Sequence, residues 1–138
     1  MTDTRAVRLE WMGDGLRFRG RGTDPVTPEI ELDGNGGGGP SPMQALLLAA
    51  AGCSGADVVV MLEKMRAGLK GLSIEVSGKR RDDHPKRYES VSLTFNMSGA
   101  ELDPAKAERA VALSIEKYCS VLHSFDPAID VAYEIDLV

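Results

Sequence analysis

The sequence contains little cysteine, few aromatic residues and no excess of positive charge. Its 138 residues include two cysteines and 5% aromatics, with 16 Lys and Arg against 21 Asp and Glu. Two cysteines do not make the disulfide-dense framework of a small secreted domain. The net charge of -5 argues against a nucleic-acid partner, because neutralising phosphates requires clustered Lys and Arg. With 43% hydrophobic residues the chain is too apolar for disorder, and its length predicts a single domain over residues 1–138.

The sequence also lacks a convincing membrane span or signal peptide. Residues 1–10 carry charges and no apolar stretch, so secretion is not expected. The longest apolar stretch, residues 43–61, contains Asp57, whose charge would be costly at bilayer depth. We therefore expect a buried helix, no membrane partner and a cytoplasmic protein, in a compartment that keeps thiols reduced. The roles of the two cysteines become the central question.

Apolar periodicity and turn signals predict an α+β fold with the element order β-β-β-α-β-β-α-β. Strands are expected at 6–11, 16–21, 29–32, 72–80, 88–97 and 129–138, and long helices from Pro42 to about Arg66 and from Pro104 to Tyr118. A further short helix is expected after Cys119. Ser41 and Gln44 have the spacing of a capping box at the start of the first helix. The glycine-rich run at 33–40 is expected to be a mobile loop.

The middle of the first long helix consists almost entirely of small residues. Gly52 and Gly55 each cost roughly 1 kcal/mol relative to Ala in a helix interior, so something must offset that loss. Tight packing, with another helix as the favoured partner, is one explanation. Room for a substrate beside Cys53 is the other. Helical spacing places Cys53 on one face with Ala50 and Val60, so we expect that face to contact a core or an interface.

Each cysteine considered alone is more often structural than reactive, because free cysteine is usually buried. Cys119 lies where a long helix ends and a short one begins, and helix N–H groups at such a position stabilise a thiolate. His123 follows by four residues on the same helical face, so a Cys–His pair could activate the thiol. A structural histidine is the commoner case.

Asp57 is the acidic residue closest in sequence to Cys53, one helical turn further on. If it is buried it needs a partner, and Arg17, Arg19 or a backbone N–H are the candidates. No CxxC or HxxxH pair occurs in the sequence, so no metal site is expected.

Three segments share a pattern with a known family. They are Gly-Pro-Ser-Pro-Met-Gln at 39–44, Ala-Ala-Ala-Gly-Cys-Ser at 49–54 and Glu-Lys-Tyr-Cys-Ser at 116–120. With these segments the chain resembles the OsmC/Ohr family of bacterial thiol-dependent peroxidases and their uncharacterised relatives, and the resemblance extends over nearly the whole chain. It implies an OsmC-like α+β fold in which two long helices pack centrally against the sheets. It also implies an intertwined homodimer with its two sites at the subunit interface.

The resemblance implies a chemistry as well. Cys53 matches the peroxidatic cysteine, whose thiolate attacks an organic hydroperoxide and becomes a sulfenic acid. Cys119 matches the resolving cysteine, which condenses with it to a disulfide. An external dithiol would reduce that disulfide, and no other cofactor is implied. The expected partners are a second copy of the chain, a small apolar peroxide or lipid-like ligand, and the dithiol reductant.

The chain departs from the family pattern at two charged positions. Family peroxidases have a Glu directly after the proline that opens the cysteine helix, whereas this chain has Met43 followed by Gln44. They also have an Arg in the turn after the first strand, which residues 13–15 lack, so Arg17 and Arg19 of the next strand become candidate thiolate partners. An Arg–thiolate contact is the main means of lowering the pKa of a cysteine buried within a helix, because burial alone raises it.

Two functional hypotheses follow. The first is a thiol peroxidase for organic hydroperoxides in oxidative-stress defence, with Cys53 and Cys119 as its catalytic pair. The second is a non-catalytic, apolar-ligand-binding or redox-sensing dimer that has lost the peroxidase Glu and Arg. In either case Met43, Gln44, Asp57 and His123 are candidates for lining the site. The departures bring the chain closer to the less characterised OsmC-like branch.

Overall fold

The first part of the chain forms a small antiparallel sheet. The computed structural model describes residues 3–138, in two compact units of which the first ends at Leu46 and the second begins at Leu47. The first unit contains β1 (Val7–Trp11), β2 (Arg17–Gly22) and β3 (Ile30–Asp33), hydrogen-bonded in that order. The strands predicted at 6–11 and 16–21 therefore pair as an antiparallel hairpin.

Much of the apolar surface of this sheet is uncovered. Every residue of β1 is exposed. Val7 is 79% exposed, Trp11 61% and Ile30 60%. A small sheet becomes stable only when one of its faces packs against something else. The described residues leave these side chains without such a cover.

The glycine-rich segment after β3 is tied down rather than free. The buried Asp33 carboxylate accepts hydrogen bonds from the N–H groups of Asn35 and Gly38, both at 2.8 Å. These bonds, that from Asn35 first, hold the pKa of the Asp33 carboxyl below its ordinary value. A Cβ atom at Gly39 would collide with the main-chain carbonyl oxygen of Glu31, so only glycine allows this close approach. The expected mobile loop is instead a loop whose backbone is bonded to a buried side chain.

The second unit contains most of one long helix, a three-stranded sheet and a helical crossover. Its elements are α1 (Pro42–Lys64, which starts before the unit boundary), β4 (Leu69–Arg80), β5 (Tyr88–Gly99), α2 (Pro104–Leu113) and β6 (Asp130–Leu137). β4 and β5 are antiparallel, whereas β6 runs parallel to β5. Two parallel strands need a long connection between them, and α2 with the segment after it supplies that connection. The predicted α+β order of elements is confirmed.

The core of this unit is built on one face of β5. Successive residues of a strand point to opposite faces, so every second side chain from Val91 to Met97 is buried. The buried apolar residues of β5 are Tyr88, Val91, Leu93, Phe95 and Met97, and those of the helices include Val58, Leu62, Ala107, Ala110 and Val111. The core that positions α1 and α2 therefore lies between the helices and this sheet.

Both long helices begin with a side-chain cap, and the cap of α1 is the predicted one. The Ser41 N–H donates to Gln44 Oε1 at 3.0 Å, and the Gln44 N–H donates to Ser41 Oγ at 3.1 Å. This reciprocal pair is the capping box. At α2, Asp103 accepts a hydrogen bond from the Lys106 N–H at 2.8 Å, directly before Pro104.

α1 is much less buried than the sequence predicts. By length and composition alone the helix could cross a membrane, since it has 23 residues and a mean hydropathy of 2.0 over its most apolar window. Only 28% of that window is buried inside the structure. The buried residues are Ala50, Ser54, Gly55, Val58 and Leu62. Leu48 is 61% exposed and Val60 48%. The helix thus has one buried face and one apolar face that the described residues leave open.

Candidate functional site

The structure brings the two cysteines together. Cys119 is fully buried in a cluster with Ala50 and Leu122, and the half-buried Cys53 packs against the same cluster. Both are free thiols, and Cys53 is close enough to Cys119 to raise the pKa of its thiol. The Cys119 Sγ is 4.0 Å from the Ala50 carbonyl oxygen, to which it donates a weak hydrogen bond. Cys53 is therefore the more exposed residue of the two.

The two glycines beside Cys53 have different surroundings. Gly55 is buried, and a Cβ atom there would lie 3.1 Å from Ile74 Cδ1, so this glycine lets α1 approach β4 closely. The tight-packing explanation holds for Gly55, with a strand rather than a helix as the partner. Gly52 faces open space, because a Cβ atom there would meet nothing within 4 Å. On the Gly52 side of Cys53 the helix surface therefore carries no side chain and is open.

Cys119 is positioned by a break in the second long helix. α2 passes at Leu113 into a π-helix (Ser114–Tyr118), and the Cys119 N–H closes that helix by donating to the Ser114 carbonyl at 2.8 Å. Cys119 itself is extended, with φ -70° and ψ 101°, and it starts the short helix α3 (Ser120–His123). The short helix was predicted from the sequence, but the π-helix was not. Single π-turns within α-helices frequently occur at functional sites.

Burial raises the pKa of the Cys119 thiol to about 11. Loss of solvent is the largest cause. The N–H groups of Leu122 and Val121 favour the thiolate, but they do not offset burial, and the adjacent Cys53 raises the pKa further. The expectation that the helix start would make Cys119 a stabilised thiolate is therefore wrong. Cys119 is a protonated thiol at neutral pH.

The raised pKa of Cys119 predicts a loss of stability in alkaline solution. Below the pKa of the unfolded thiol, about 8.5, both states hold the proton and this group has no effect on the pH dependence. Above it the unfolded state releases the proton first, so the free energy of unfolding falls until the pH passes the folded value of about 11. Urea denaturation with reductant present, at several pH values, should show this fall in the wild type and a flatter profile in Cys119→Ala. Identical profiles would contradict the assignment.

Asp57 has a partner that the sequence analysis did not identify. Its Oδ2 accepts a hydrogen bond from Ser114 Oγ at 3.0 Å, and Ser114 Oγ lies 2.8 Å from Ser54 Oγ. Both serines are fully buried. Arg17, Arg19 and a backbone N–H were the expected partners, but the carboxylate is instead bonded to a hydroxyl of the crossover. A serine within an apolar helical stripe has no sequence signal that separates it from a small core residue.

Arg17 and Arg19 lie in the first unit, and Arg17 already has an acidic partner. Arg17 Nη2 is 3.2 Å from Glu31 Oε1, and its Nη1 is 3.5 Å from Asp14 Oδ2. The hydrogen bond to Glu31 raises the pKa of the Arg17 guanidinium. Arg19 is exposed and lies opposite Glu10 in the hairpin. Glu31 carries no local sequence signal for this role, because its contact with Arg17 depends on the register of β2 and β3.

The other candidates have structural surroundings of their own. Gln44 is exposed and holds the capping box, and Met43 is half-buried next to it. His123 is exposed, and its backbone N–H donates to the Cys119 carbonyl at 3.0 Å. Within residues 3–138 no hydrogen bond joins the His123 ring to the Cys119 sulfur. The same residues contain no group of three or more His, Cys, Asp or Glu that could hold a metal ion.

An open, largely apolar groove lies next to Asp57, the residue that is hydrogen-bonded to Ser114. It has a volume of about 450 Å³. Its apolar walls are formed by Val60, Met61, Met65, Leu113 and Tyr118, and the charged residues Asp57, Lys64 and Arg109 also line it. Asp57 is one helical turn after Cys53, and Tyr118 directly precedes Cys119, so both cysteine-bearing segments contribute to it. Unbranched methionines adapt to ligands of different shape. The groove has the size and lining of a site for a small apolar molecule.

Comparison with known proteins identifies the family to which this chain belongs. The family model for OsmC-like proteins matches residues 34–134, so the chain belongs to the OsmC-like family. It is 36% identical over 133 residues to protein YhfA of Escherichia coli K12, covering 96% of this chain and 97% of YhfA. A solved hypothetical protein from Aquifex aeolicus VF5 is 32% identical, with a TM-score of 0.84 over 99% of each chain. The organic hydroperoxide resistance protein OhrB of Bacillus subtilis shares the fold at 18% identity, with a TM-score of 0.64 over 97% of this chain and 98% of OhrB. The OsmC/Ohr resemblance and the OsmC-like fold are thereby confirmed.

Proposed function

We propose that the chain reduces organic hydroperoxides through Cys53 and Cys119. The observation that carries this proposal is the contact between a half-buried Cys53 and a fully buried Cys119 whose pKa is raised to about 11. A thiolate rather than a thiol attacks a peroxide, so the protonated Cys119 does not react with the peroxide itself. It reacts only after Cys53 has become a sulfenic acid. Cys53 is the accessible member of the pair. The OhrB name, which describes organic hydroperoxide resistance in that relative, supports the same assignment.

The proposed cycle has three steps. The Cys53 thiolate attacks the outer oxygen of the hydroperoxide, the O–O bond breaks, and the leaving alkoxide takes up a proton to become an alcohol. Cys53 is then a sulfenic acid. The Cys119 sulfur displaces its hydroxyl group, which leaves as water with the Cys119 proton, and a disulfide forms. A dithiol supplies two electrons and two protons and restores both thiols.

The groove to which both cysteine-bearing segments contribute supports an apolar organic peroxide over hydrogen peroxide. Its methionine, leucine and valine side chains would remove an alkyl or aryl group from water, at about 25 cal/mol per Å² of buried apolar surface. Hydrogen peroxide has no such surface. We therefore expect turnover of cumene hydroperoxide at a lower concentration than turnover of hydrogen peroxide.

We also propose that the chain works as a homodimer in the cytoplasm, where dithiol reductants are available. The exposed apolar side chains of β1 and the open face of α1 need a cover that the described residues do not provide. A second copy would supply it, as the resemblance implies. Light scattering at micromolar concentration should give twice the chain mass of 14.8 kDa. A mass of one chain would contradict the dimer.

A peroxide assay tests the proposed reaction. Without reductant, the reduced wild-type protein should consume about one equivalent of cumene hydroperoxide per chain and lose both free thiols. With dithiothreitol, consumption should continue until the peroxide is exhausted. Consumption no faster than in a protein-free sample would overturn the peroxidase proposal.

A non-catalytic dimer that binds an apolar ligand or senses oxidants is the second candidate. It is favoured by the pairing of Arg17 with Glu31 and by the uncharged Met43 and Gln44 where family peroxidases carry a Glu. This candidate predicts no peroxide turnover, together with a lipid-like molecule that copurifies and is detected by mass spectrometry of an organic extract.

A further inference from the structure

We propose that Ser114, anchored by Asp57 and Ser54, is the positioning residue that holds Cys119 against Cys53. The inference rests on the proposed two-cysteine function. It concerns how the pair is assembled, because Ser114 touches neither thiol through its side chain and acts through the main chain of the π-helix.

Ser114 makes two kinds of contact that no other residue of the crossover combines within residues 3–138. Its main-chain carbonyl accepts the N–H of Cys119 at 2.8 Å, the bond that closes the π-helix. Its side chain is bonded to α1, through Asp57 Oδ2 at 3.0 Å and Ser54 Oγ at 2.8 Å. Ser54 directly follows Cys53, and Asp57 lies one turn beyond it. Ser114 therefore connects the Cys53 helix to the backbone of Cys119.

The hydrogen bonds of this chain have a defined direction. A hydroxyl group has one proton, so Ser114, which donates to the Asp57 carboxylate, must accept from Ser54. The bond from Ser114 Oγ to the Asp57 carboxylate is stronger than the bond between the two serine hydroxyls, because its acceptor is charged. Among residues 3–138 no buried side-chain nitrogen or oxygen is without a partner. A fully satisfied polar network inside a core specifies one arrangement of the elements that it joins.

The register of the π-helix decides where Cys119 points. In a continuing α-helix the Cys119 N–H would bond to the carbonyl of Ile115, four residues back, instead of that of Ser114. A shift of one residue turns a side chain by about 100° around the helix axis. A return to α-helical register would therefore rotate Cys119 away from Cys53. The anchored Ser114 opposes that return.

Three substitutions separate the anchoring hydrogen bond from the charge. Ser114→Ala removes the donor and changes little volume, and Asp57→Ala removes the acceptor. Asp57→Asn retains an acceptor oxygen without the charge. The readout is the rate at which the intramolecular disulfide forms after addition of diamide. The Cys53 thiolate adds to the N=N bond of diamide, whose other nitrogen takes up a proton. The Cys119 sulfur then displaces the hydrazine, which leaves with the Cys119 proton. Diamide thus accepts the two electrons that the thiols lose, and no peroxide is needed.

Samples quenched in acid and weighed by intact mass spectrometry show the diamide adduct and the disulfide separately, which isolates the second step. We expect Ser114→Ala and Asp57→Ala to slow this step by roughly tenfold or more, because small misplacements of reacting groups have large effects on rate. Asp57→Asn is expected to remain within about threefold of the wild type, since its amide oxygen can still accept the Ser114 proton.

Val111→Ala is the matched control for a purely structural effect. Val111 is fully buried in α2, one turn before Ser114, and has no part in the polar chain. Its truncation lowers stability but leaves the anchor intact, so its rate of disulfide closure should equal that of the wild type. A wild-type rate in Ser114→Ala, or an equal slowing in Val111→Ala, would overturn the proposal.

The outcome also distinguishes this inference from the proposed function. If the wild type consumes no organic hydroperoxide and Ser114→Ala still slows disulfide closure, the peroxidase proposal fails and the positioning role stands. If the wild type is an active peroxidase and all three variants close the disulfide at its rate, the positioning role fails alone. A wild-type chain that forms no intramolecular disulfide with diamide would overturn both.

Discussion

Cys53→Ser is expected to reduce peroxide turnover to the level of a protein-free sample, a loss of roughly a thousandfold or more. A serine hydroxyl is not ionised near neutral pH, and nothing in the cluster of Ala50, Leu122 and Cys119 would take its proton. The buried Cys119 cannot replace it, because burial keeps its thiol protonated and away from solvent. Consumption of cumene hydroperoxide with dithiothreitol present, compared at equal protein concentration, measures the effect.

Cys119→Ser is the matched control for that experiment. It leaves Cys53 in place, so one equivalent of peroxide should be consumed quickly and a sulfenic acid should accumulate that dimedone traps. Continued turnover should then be slow, because no neighbouring thiol condenses with the sulfenic acid. Full turnover in Cys53→Ser, or equal losses in both variants before the first equivalent is consumed, would show that the two roles are wrongly assigned.

Phe95→Ala is expected to have the largest effect on stability, lowering the free energy of unfolding by about 3–5 kcal/mol. Phe95 is fully buried at the centre of β5, between the neighbouring strands β4 and β6, with Leu93 and Met97 on the same buried face. Truncation would lose the transfer free energy of the ring and leave a cavity that the strands cannot close. Urea denaturation followed by circular dichroism measures the change.

Ser92→Ala, on the opposite and exposed face of β5, is the control for the Phe95 experiment. It removes one hydroxyl at the surface and should change the free energy of unfolding by less than about 0.5 kcal/mol. A comparable effect of both substitutions would mean that the core does not lie on the face of β5 described above.

The features that the sequence predicted depend on residues close together in the chain. The capping box of Ser41 and Gln44, the Asp103–Pro104 start of α2 and the alternation of β5 are local patterns, and each is present in the structure. The start of β4 at Leu69 was expected three residues later, because the strand runs through Gly71. Glycine is disfavoured in strands, but its pairing opposite Ser98 in β5 outweighs that preference.

The features that the sequence analysis missed depend on residues far apart in the chain. The Asp57–Ser114 hydrogen bond joins two helices, and nothing within either helix distinguishes Ser114 from its apolar neighbours. The π-helix has the same apolar spacing as the α-helix that was expected there. Cys119 illustrates the competition between local and tertiary effects. The N–H groups of the helix start lower the pKa of its thiol, but burial in the core raises that pKa by more.

The crossover between β5 and β6 has a consequence for the unfolded chain. Because Cys119 lies late in that crossover and Cys53 lies in α1, a disulfide between them would close a loop of roughly 65 residues. The lost conformational entropy would raise the free energy of the unfolded state by about 4 kcal/mol. The oxidised protein would therefore be the form that is harder to unfold. Oxidising conditions would therefore hold the protein in its more stable form.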